Sequence, residues 1–280
     1  MPRYPLRKLE PAADATALYA EWLEEIRTTL ERGDDRWELC RRTLTALFYP
    51  GMLDRDHTTL PLAVRAGLAQ MDARNVTLEP EYYAEIDDEA FQARKPLLWM
   101  WQMFDRSPLG GNVHLGVQFR RTLAPFIFKH VGRNFKCFHF VEFSYGYNLE
   151  VGDDVVVHRN VLLDDRGGIV LGDRVSISDF ANIYSHTHSI VDQADVSNLK
   201  TVIADDVRIT YHATVLAGTH VGANAMVGAM AVATKNVRPY HVNVGIPAKS
   251  VRVKPNAPPE VYKVTLREDP PAAGTGAGEG

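Results

Sequence analysis

The chain has 280 residues, enough for one large domain or two modest ones. Its 31 basic and 35 acidic residues give a net charge of −4, which excludes a broadly basic surface for nucleic acid. Two cysteines, Cys40 and Cys137, are too few for a disulfide framework and fit a reducing cytosol. No apolar run approaches the ~20 residues of a membrane span. The start, MPRYPLRKLEPAADA, lacks the apolar core of a signal peptide, so a cytoplasmic protein is expected.

Residues 1–110 read as a helical domain. Tyr19, Trp22, Leu23, Ile26 and Leu30 form one helical stripe that Asp14 would cap and Gly33 would end. A second stripe, Trp37, Cys40, Leu44 and Leu47, stops at Pro50-Gly51. Pro61 opens a third, with Val64, Leu68 and Met71. A fourth runs from about Asp87 to Phe104 and is interrupted by Pro96. None of these stripes carries a chemical motif. Residues 111–143 read as a helical and aromatic connector, in which FKCFHFVEF, Phe135 to Phe143, would cap the open end of the next domain. Arg120, Arg121, Lys129, Arg133 and Lys136 would form a solvated basic face.

From about residue 144 to 254 the period becomes six. Val151, Val157 and Leu163, then Leu171, Ile177 and Ile183, then Ile203, Ile209, Val215, Val221, Val227 and Ala233 are all aliphatic. The positions four further on, from Val155 to Val237 and including Gly167 and Thr187, are small or β-branched. One inward aliphatic residue per six predicts short flat strands, three to a triangular coil, stacked so that backbone groups pair between coils. The register slips at DDRGGI and again between Ile183 and Ile203, where a loop of about residues 188–201 is pushed out. It starts at YSHTHSI, with His186 and His188. Residues 255–280, ending PPAAGTGAGEG, have little to bury and read as a disordered tail.

SYGYNLEVGDD, IVLGDRVSISDFANIYSHTHS, VGAMAVATKNVRP and VNVGIPAKSVR resemble the hexapeptide-repeat acyltransferases, in particular the galactoside and maltose O-acetyltransferase branch. The resemblance covers a little under half the chain and implies an α+β protein: a helical N-terminal domain, then a left-handed parallel β-helix. It further implies a homotrimer with sites between subunits, acetyl-CoA as donor and a small sugar-like hydroxyl acceptor. His188 takes the catalytic position. His186 stands where the branch has a small or polar residue, and is a second catalytic candidate. Ser144, His158 and Asp165 match acceptor-side positions, His158 in place of an asparagine. Tyr211, in place of a serine, and Ala229 and Thr234 match the pantetheine groove. Lys235, Lys249 and Arg252 match the phosphate end.

The residues fit that chemistry. Acyl transfer from a thioester to a hydroxyl needs chiefly a base, because a thiolate leaves readily, its free pKa being ~8.5. Histidine can take the proton near neutrality. No GxSxG motif is present, which favours direct transfer in a ternary complex over a covalent route. Asp164, Asp165 or Asp192 could orient the imidazole. A γ-carbonic-anhydrase-like metalloenzyme shares the fold, but needs a third histidine that His212 and His220 do not supply at the right spacing, so no metal is expected. A non-catalytic β-helix scaffold is the other alternative.

Overall fold

The computed structural model describes residues 10–265, and its helices come first. α1 (Ala13–Glu31) starts after Ala12; Asp14 lies inside its first turn and does not cap it, although its charge suits that end. Gly33, at φ 76°, turns the chain out of it. α2 (Arg36–Phe48) is capped by Asp35, which accepts from the Trp37 and Glu38 amides. α3 (Leu62–Ala69) follows Pro61. The fourth stripe is two helices, α4 (Asp88–Gln92) and α5 (Lys95–Arg106), because Pro96 fits the first turn of a helix but not its interior. α6 (Val113–Ile127) is capped by Asn112. Ile26, Leu44, Leu97, Phe104 and Phe119 share one core, with the Phe104 and Phe119 rings stacked at 3.8 Å.

The solenoid begins earlier than residue 144. Its first coil is β1 (His130–Val131), β2 (Lys136–Cys137) and β3 (Glu142–Phe143). The second is β4 (Leu149–Val151), β5 (Val156–Val157) and β6 (Leu162–Asp164), and the third is β7 (Ile169–Leu171), β8 (Ser176–Ile177) and β9 (Asn182–Tyr184). A hairpin, β10 (His186–His188) and β11 (Val196–Asn198), then leaves the prism. The fourth coil is β12 (Thr201–Ile203), β13 (Arg208–Ile209) and β14 (Thr214–Val215); the fifth is β15 (His220–Val221), β16 (Met226–Val227) and β17 (Val232–Ala233). β18 (His241–Val244) opens a sixth coil, and β19 (Lys249–Val253) folds back antiparallel on it.

Apart from β19, the coils stack as three parallel faces: β1-β4-β7-β12-β15, β2-β5-β8-β13-β16-β18 and β3-β6-β9-β14-β17. This is the expected helical domain followed by a left-handed parallel β-helix. All twelve inward aliphatic residues of the repeat are at most 1% exposed. Cys137 and Phe143 extend that series backwards, so FKCFHFVEF is the first coil and not its cap; α6 packs against β2 in that role. Cys137 therefore lies inside the repeat, where burial pushes its thiol well above the usual range. At the first corner, Asp153, Asp173 and Asp205 accept the backbone N–H of Arg133, Asp153 and Asp173 at 2.7, 2.8 and 3.0 Å, tying coil to coil.

The junction corrects the basic face. Arg120 is buried and paired with Asp105, and it also donates to the carbonyls of Cys137 (3.2 Å) and Gly110 (3.0 Å). Asp105 accepts the Phe140 N–H at 2.7 Å, and Arg121 donates to the Phe135 carbonyl at 2.8 Å. Arg133 and Lys129 do face solvent, paired with Asp153 and Glu150. Residues 259–265, expected to be disordered, form α7 (Pro259–Thr265); residues 266–280 of that tail lie outside the described residues. Among the described residues no helix is long and apolar enough to cross a membrane.

Candidate active site

The third corner of the prism follows β3, β6 and β9, and it is the corner where the repeat slips. Stacking places one polar side chain from each of three coils in line there. Ser144 Oγ donates to Asp164 Oδ1 at 3.0 Å, and Asp164 Oδ2 takes His186 Nδ1. Two residues on, His188 Nδ1 donates to the Gln193 carbonyl at 2.7 Å across the hairpin. The two imidazoles meet edge to face, ring centres 5.2 Å apart. A carbonyl and a carboxylate only accept, so both rings carry the proton on Nδ1 and leave Nε2 as a lone pair when neutral. That is the tautomer a general base requires.

The hairpin is pinned at its root. Ser185 is buried, accepts the Gly167 N–H at 2.8 Å and donates to the Asp164 carbonyl at 2.5 Å. Leu199 N–H returns to the Ser185 carbonyl at 2.7 Å. Gly167 is required because a Cβ there would collide with the Ser185 carbonyl and the Leu199 nitrogen. Thr187, assigned from its spacing to the series of small or β-branched residues, stands exposed on β10. The extruded segment thus runs from Ser185 and is a paired strand at both ends, not a free loop.

Asp165 differs from its expected role. Its side chain is fully enclosed and accepts the Tyr145 and Asn148 amides at 2.7 and 3.2 Å, holding the turn of the coil below. Asp164, its neighbour, faces the histidines. Burial raises the Asp165 pKa from 3.8 to about 6, outweighing the two amides. Folded protein therefore holds this proton more tightly than unfolded chain, and the resulting stability is present below about pH 4 and lost as pH rises through about 6. Asp165→Asn has no such proton to lose. Its stability relative to wild type should rise by roughly 3 kcal/mol between pH 4 and pH 7, by urea denaturation at each pH. A difference that does not change with pH would mean the carboxyl does not titrate there.

The helical domain reaches this corner, which the sequence did not signal. Arg166, almost wholly buried, pairs with Glu85, its Nε 2.7 Å from Oε1, and its guanidinium lies 3.8 Å from the centre of the Tyr83 ring. The Asp87 N–H donates to the Tyr147 hydroxyl at 3.0 Å.

The remaining expected residues lie elsewhere. His158 follows β5 at the second corner, where its ring stacks on Phe138 at 4.9 Å and its Nδ1 is 3.8 Å from Asp179. Tyr211 and Ala229 are exposed on the same edge two and three coils further on, the Met230 N–H donating to the Tyr211 carbonyl at 2.9 Å. Thr234 and Lys235 follow β17 at the third corner, and Lys249 and Arg252 are exposed on β19. Within one chain, therefore, Ser144, Asp164, His186 and His188 are brought together, whereas His158, Tyr211 and Ala229 occupy a different edge of the prism. A crevice of about 460 Å³ lies between α1 and α2, lined by Trp22, Glu25, Arg32, Asp35, Glu38 and Arg42, away from the histidines. Among the described residues no three His, Cys, Asp or Glu side chains are grouped to hold a metal ion. His241 is buried against Ser250, its Nδ1 2.6 Å from the hydroxyl.

No family model matches the chain. It is 27% identical over 140 residues to the galactoside O-acetyltransferase of Escherichia coli K12, a match covering 49% of this chain and 69% of that one. It is 26% identical over 121 residues to a serine acetyltransferase of Buchnera aphidicola, covering 42% and 45%. In fold it is similar to a maltose O-acetyltransferase from Clostridium difficile 630, with TM-score 0.53, 23% identity, and coverage of 60% of this chain and 89% of that one. A hexapeptide-repeat acetyltransferase from Vibrio cholerae, solved with acetyl coenzyme A, gives TM-score 0.53 and 23% identity over 65% of this chain and 98% of that one. In sequence and in fold the chain is similar to the hexapeptide-repeat acyltransferases. Compared with that family's pattern, this chain has a second imidazole, His186, fastened to Asp164, and a helical domain whose Glu85 pairs with Arg166 at the same corner. The match spans about two thirds of the first curated relative and under half of the second.

Proposed function

We propose that the protein transfers an acetyl group from acetyl coenzyme A to a hydroxyl of a sugar-like acceptor, directly and within a ternary complex, with His188 as general base. The observation that carries this is an imidazole held through Nδ1 on a carbonyl, beside a second one held on a carboxylate, at the corner of a hexapeptide prism. The acceptor hydroxyl gives its proton to His188 Nε2 as its oxygen attacks the thioester carbonyl. The tetrahedral oxyanion collapses, expels the thiolate and leaves the acetyl ester. The imidazolium then returns its proton to the thiolate, and atoms and charge balance without a covalent enzyme intermediate. Ser144, Asp164 and His186 line the acceptor side; Asp164 takes the place assigned above to Asp165.

The donor side draws on Tyr211, Ala229 and Thr234 for the pantetheine arm and on Lys235, Lys249 and Arg252 for the phosphates. These residues are exposed, as is required of groups that meet a ligand from outside the prism. Tyr211 and Ala229, on the second edge, meet the acceptor residues of the third corner only if a second copy of the chain abuts the first, and this favours a homotrimer with shared sites. Phe140, Phe180, Tyr211 and Met230 form an exposed apolar edge along the second corner, which supports that assembly. A cytoplasmic location fits a CoA-dependent reaction.

Purified protein given acetyl coenzyme A and a panel of sugars should release free thiol, and coenzyme A should raise the melting temperature. Absence of both results sinks the proposal. Lys249→Ala should raise the donor KM about tenfold with kcat unchanged, the loss of one charged phosphate contact. An unchanged KM moves the phosphate site elsewhere.

A further inference from the structure

At the third corner the donors are spent and the acceptors are not. Ser144 gives its hydroxyl hydrogen to Asp164, His186 gives its Nδ1 hydrogen to the same carboxylate, and His188 gives its own to the Gln193 carbonyl. The Asp164 side chain is 5% exposed, and the two bonds it accepts close it off. Neither imidazole Nε2 has a partner among the described residues. Both are open to solvent. His188 is exposed, and among the described residues the only buried side-chain nitrogen or oxygen atoms without a partner are the Tyr145 hydroxyl and Asn243 Oδ1. His186 and His188 are two apart on β10, so they share one face of the hairpin while Thr187 takes the other. Their ring centres lie 5.2 Å apart. Neutral, the pair offers two neighbouring lone pairs, and no hydrogen remains on Ser144, His186 or His188 for a ligand.

A ligand bound there must bring the hydrogens. A single donor satisfies one imidazole and leaves the other stripped of water and unmatched, which costs binding. A carboxylate or phosphate brings only acceptors, and would add its charge beside that of Asp164. Hydroxyls on neighbouring carbons fit, because they diverge from adjacent atoms and each addresses one ring. We infer that the acceptor presents a vicinal diol, one hydroxyl to His188 Nε2 and its neighbour to His186 Nε2, so that His186 is a specificity-determining residue. Which hydroxyl takes the acetyl group rests on the function proposed above; the demand for two adjacent donors does not. Asp164 enforces that demand: a carboxylate only accepts, so it keeps the His186 hydrogen on Nδ1 and the lone pair on Nε2.

Two measurements test this. With the histidine nitrogens isotope-labelled, at a pH where both rings are neutral, nitrogen chemical shifts of His186 and His188 should place the hydrogen on Nδ1. A hydrogen on His186 Nε2 overturns the inference, because that ring would then donate. The second measurement compares methyl glycosides that carry a vicinal diol with their monodeoxy derivatives. It uses titration calorimetry in the presence of coenzyme A, and thiol release with acetyl coenzyme A. Wild type should lose about tenfold in affinity and in kcat/KM when the hydroxyl facing His186 is missing, the size of one hydrogen bond. In His186→Ala, with its fold checked by melting temperature and coenzyme A binding, that ratio should fall to about one. An unchanged ratio in the variant overturns the pairing, and so does a wild type that binds diol and deoxy glycosides equally or binds neither. A merely structural His186 would weaken both glycosides alike and leave the ratio intact. If the calorimetric ratio collapses in the variant while even wild type releases no thiol, the diol site stands and the proposed reaction falls.

Discussion

Replacing His188 by alanine should lower kcat by about 10²- to 10⁴-fold while leaving the fold and coenzyme A binding intact. The size follows from what is removed. His188 supplies no core packing, since it stands exposed on β10, and its only fixed bond is from Nδ1 to the Gln193 carbonyl. What disappears is a lone pair on Nε2 placed to accept a proton. The measurement is thiol release under saturating donor and acceptor, together with the thermal shift caused by coenzyme A. Retention of near-full rate removes His188 from the mechanism. The matched variant His186→Ala separates the two rings: if it loses more, the base is the imidazole that Asp164 holds, and His188 is its neighbour.

Arg120→Met should destabilise the protein by about 3–5 kcal/mol, a fall in melting temperature of roughly 10 °C. Arg120 and Asp105 are both buried at the seam between α5, α6 and the first coil. Burial pushes the Asp105 carboxyl up while Arg120 and the Phe140 N–H pull it down, with a net rise. Methionine fills the space of the stem but leaves a buried carboxylate without its cation, and it orphans the carbonyls of Gly110 and Cys137. Thermal unfolding of the single variant beside Arg120→Met/Asp105→Leu checks the cause. The double change removes the stranded charge and should recover part of the loss. A single variant that melts with wild type would mean that water reaches this seam.

The repeat was legible because its physics is local and periodic. A coil of three short strands needs an aliphatic residue inward at every sixth position, so Val151, Ile177 and Val227 announce their burial by spacing alone. The same series continues back to Cys137 and Phe143, where sulfur and aromatic side chains fill the inward place and hide the period. His186 and His188 were visible as a break in rhythm. Their partners were not. Ser144, Asp164 and His186 are separated by about twenty residues each, and only the stacking of successive coils brings them into line. Between two adjacent aspartates, sequence offered no way to choose; the structure turns Asp165 inward to backbone amides and Asp164 outward to the imidazole.

By itself, then, the sequence determined a helical start, a triangular β-helix, an extruded segment bearing two histidines and a resemblance to the hexapeptide-repeat acyltransferases. Only the tertiary structure decided that Arg120 is a buried strut and not a surface charge, and that Glu85 of the helical domain pairs with Arg166 beside the root of the hairpin. The physical reason is range. Periodicity reports which face of an element loses water, and that is set within a few residues. Ion pairs and shared hydrogen bonds join groups far apart in the chain, and their existence depends on how whole elements come to rest against one another.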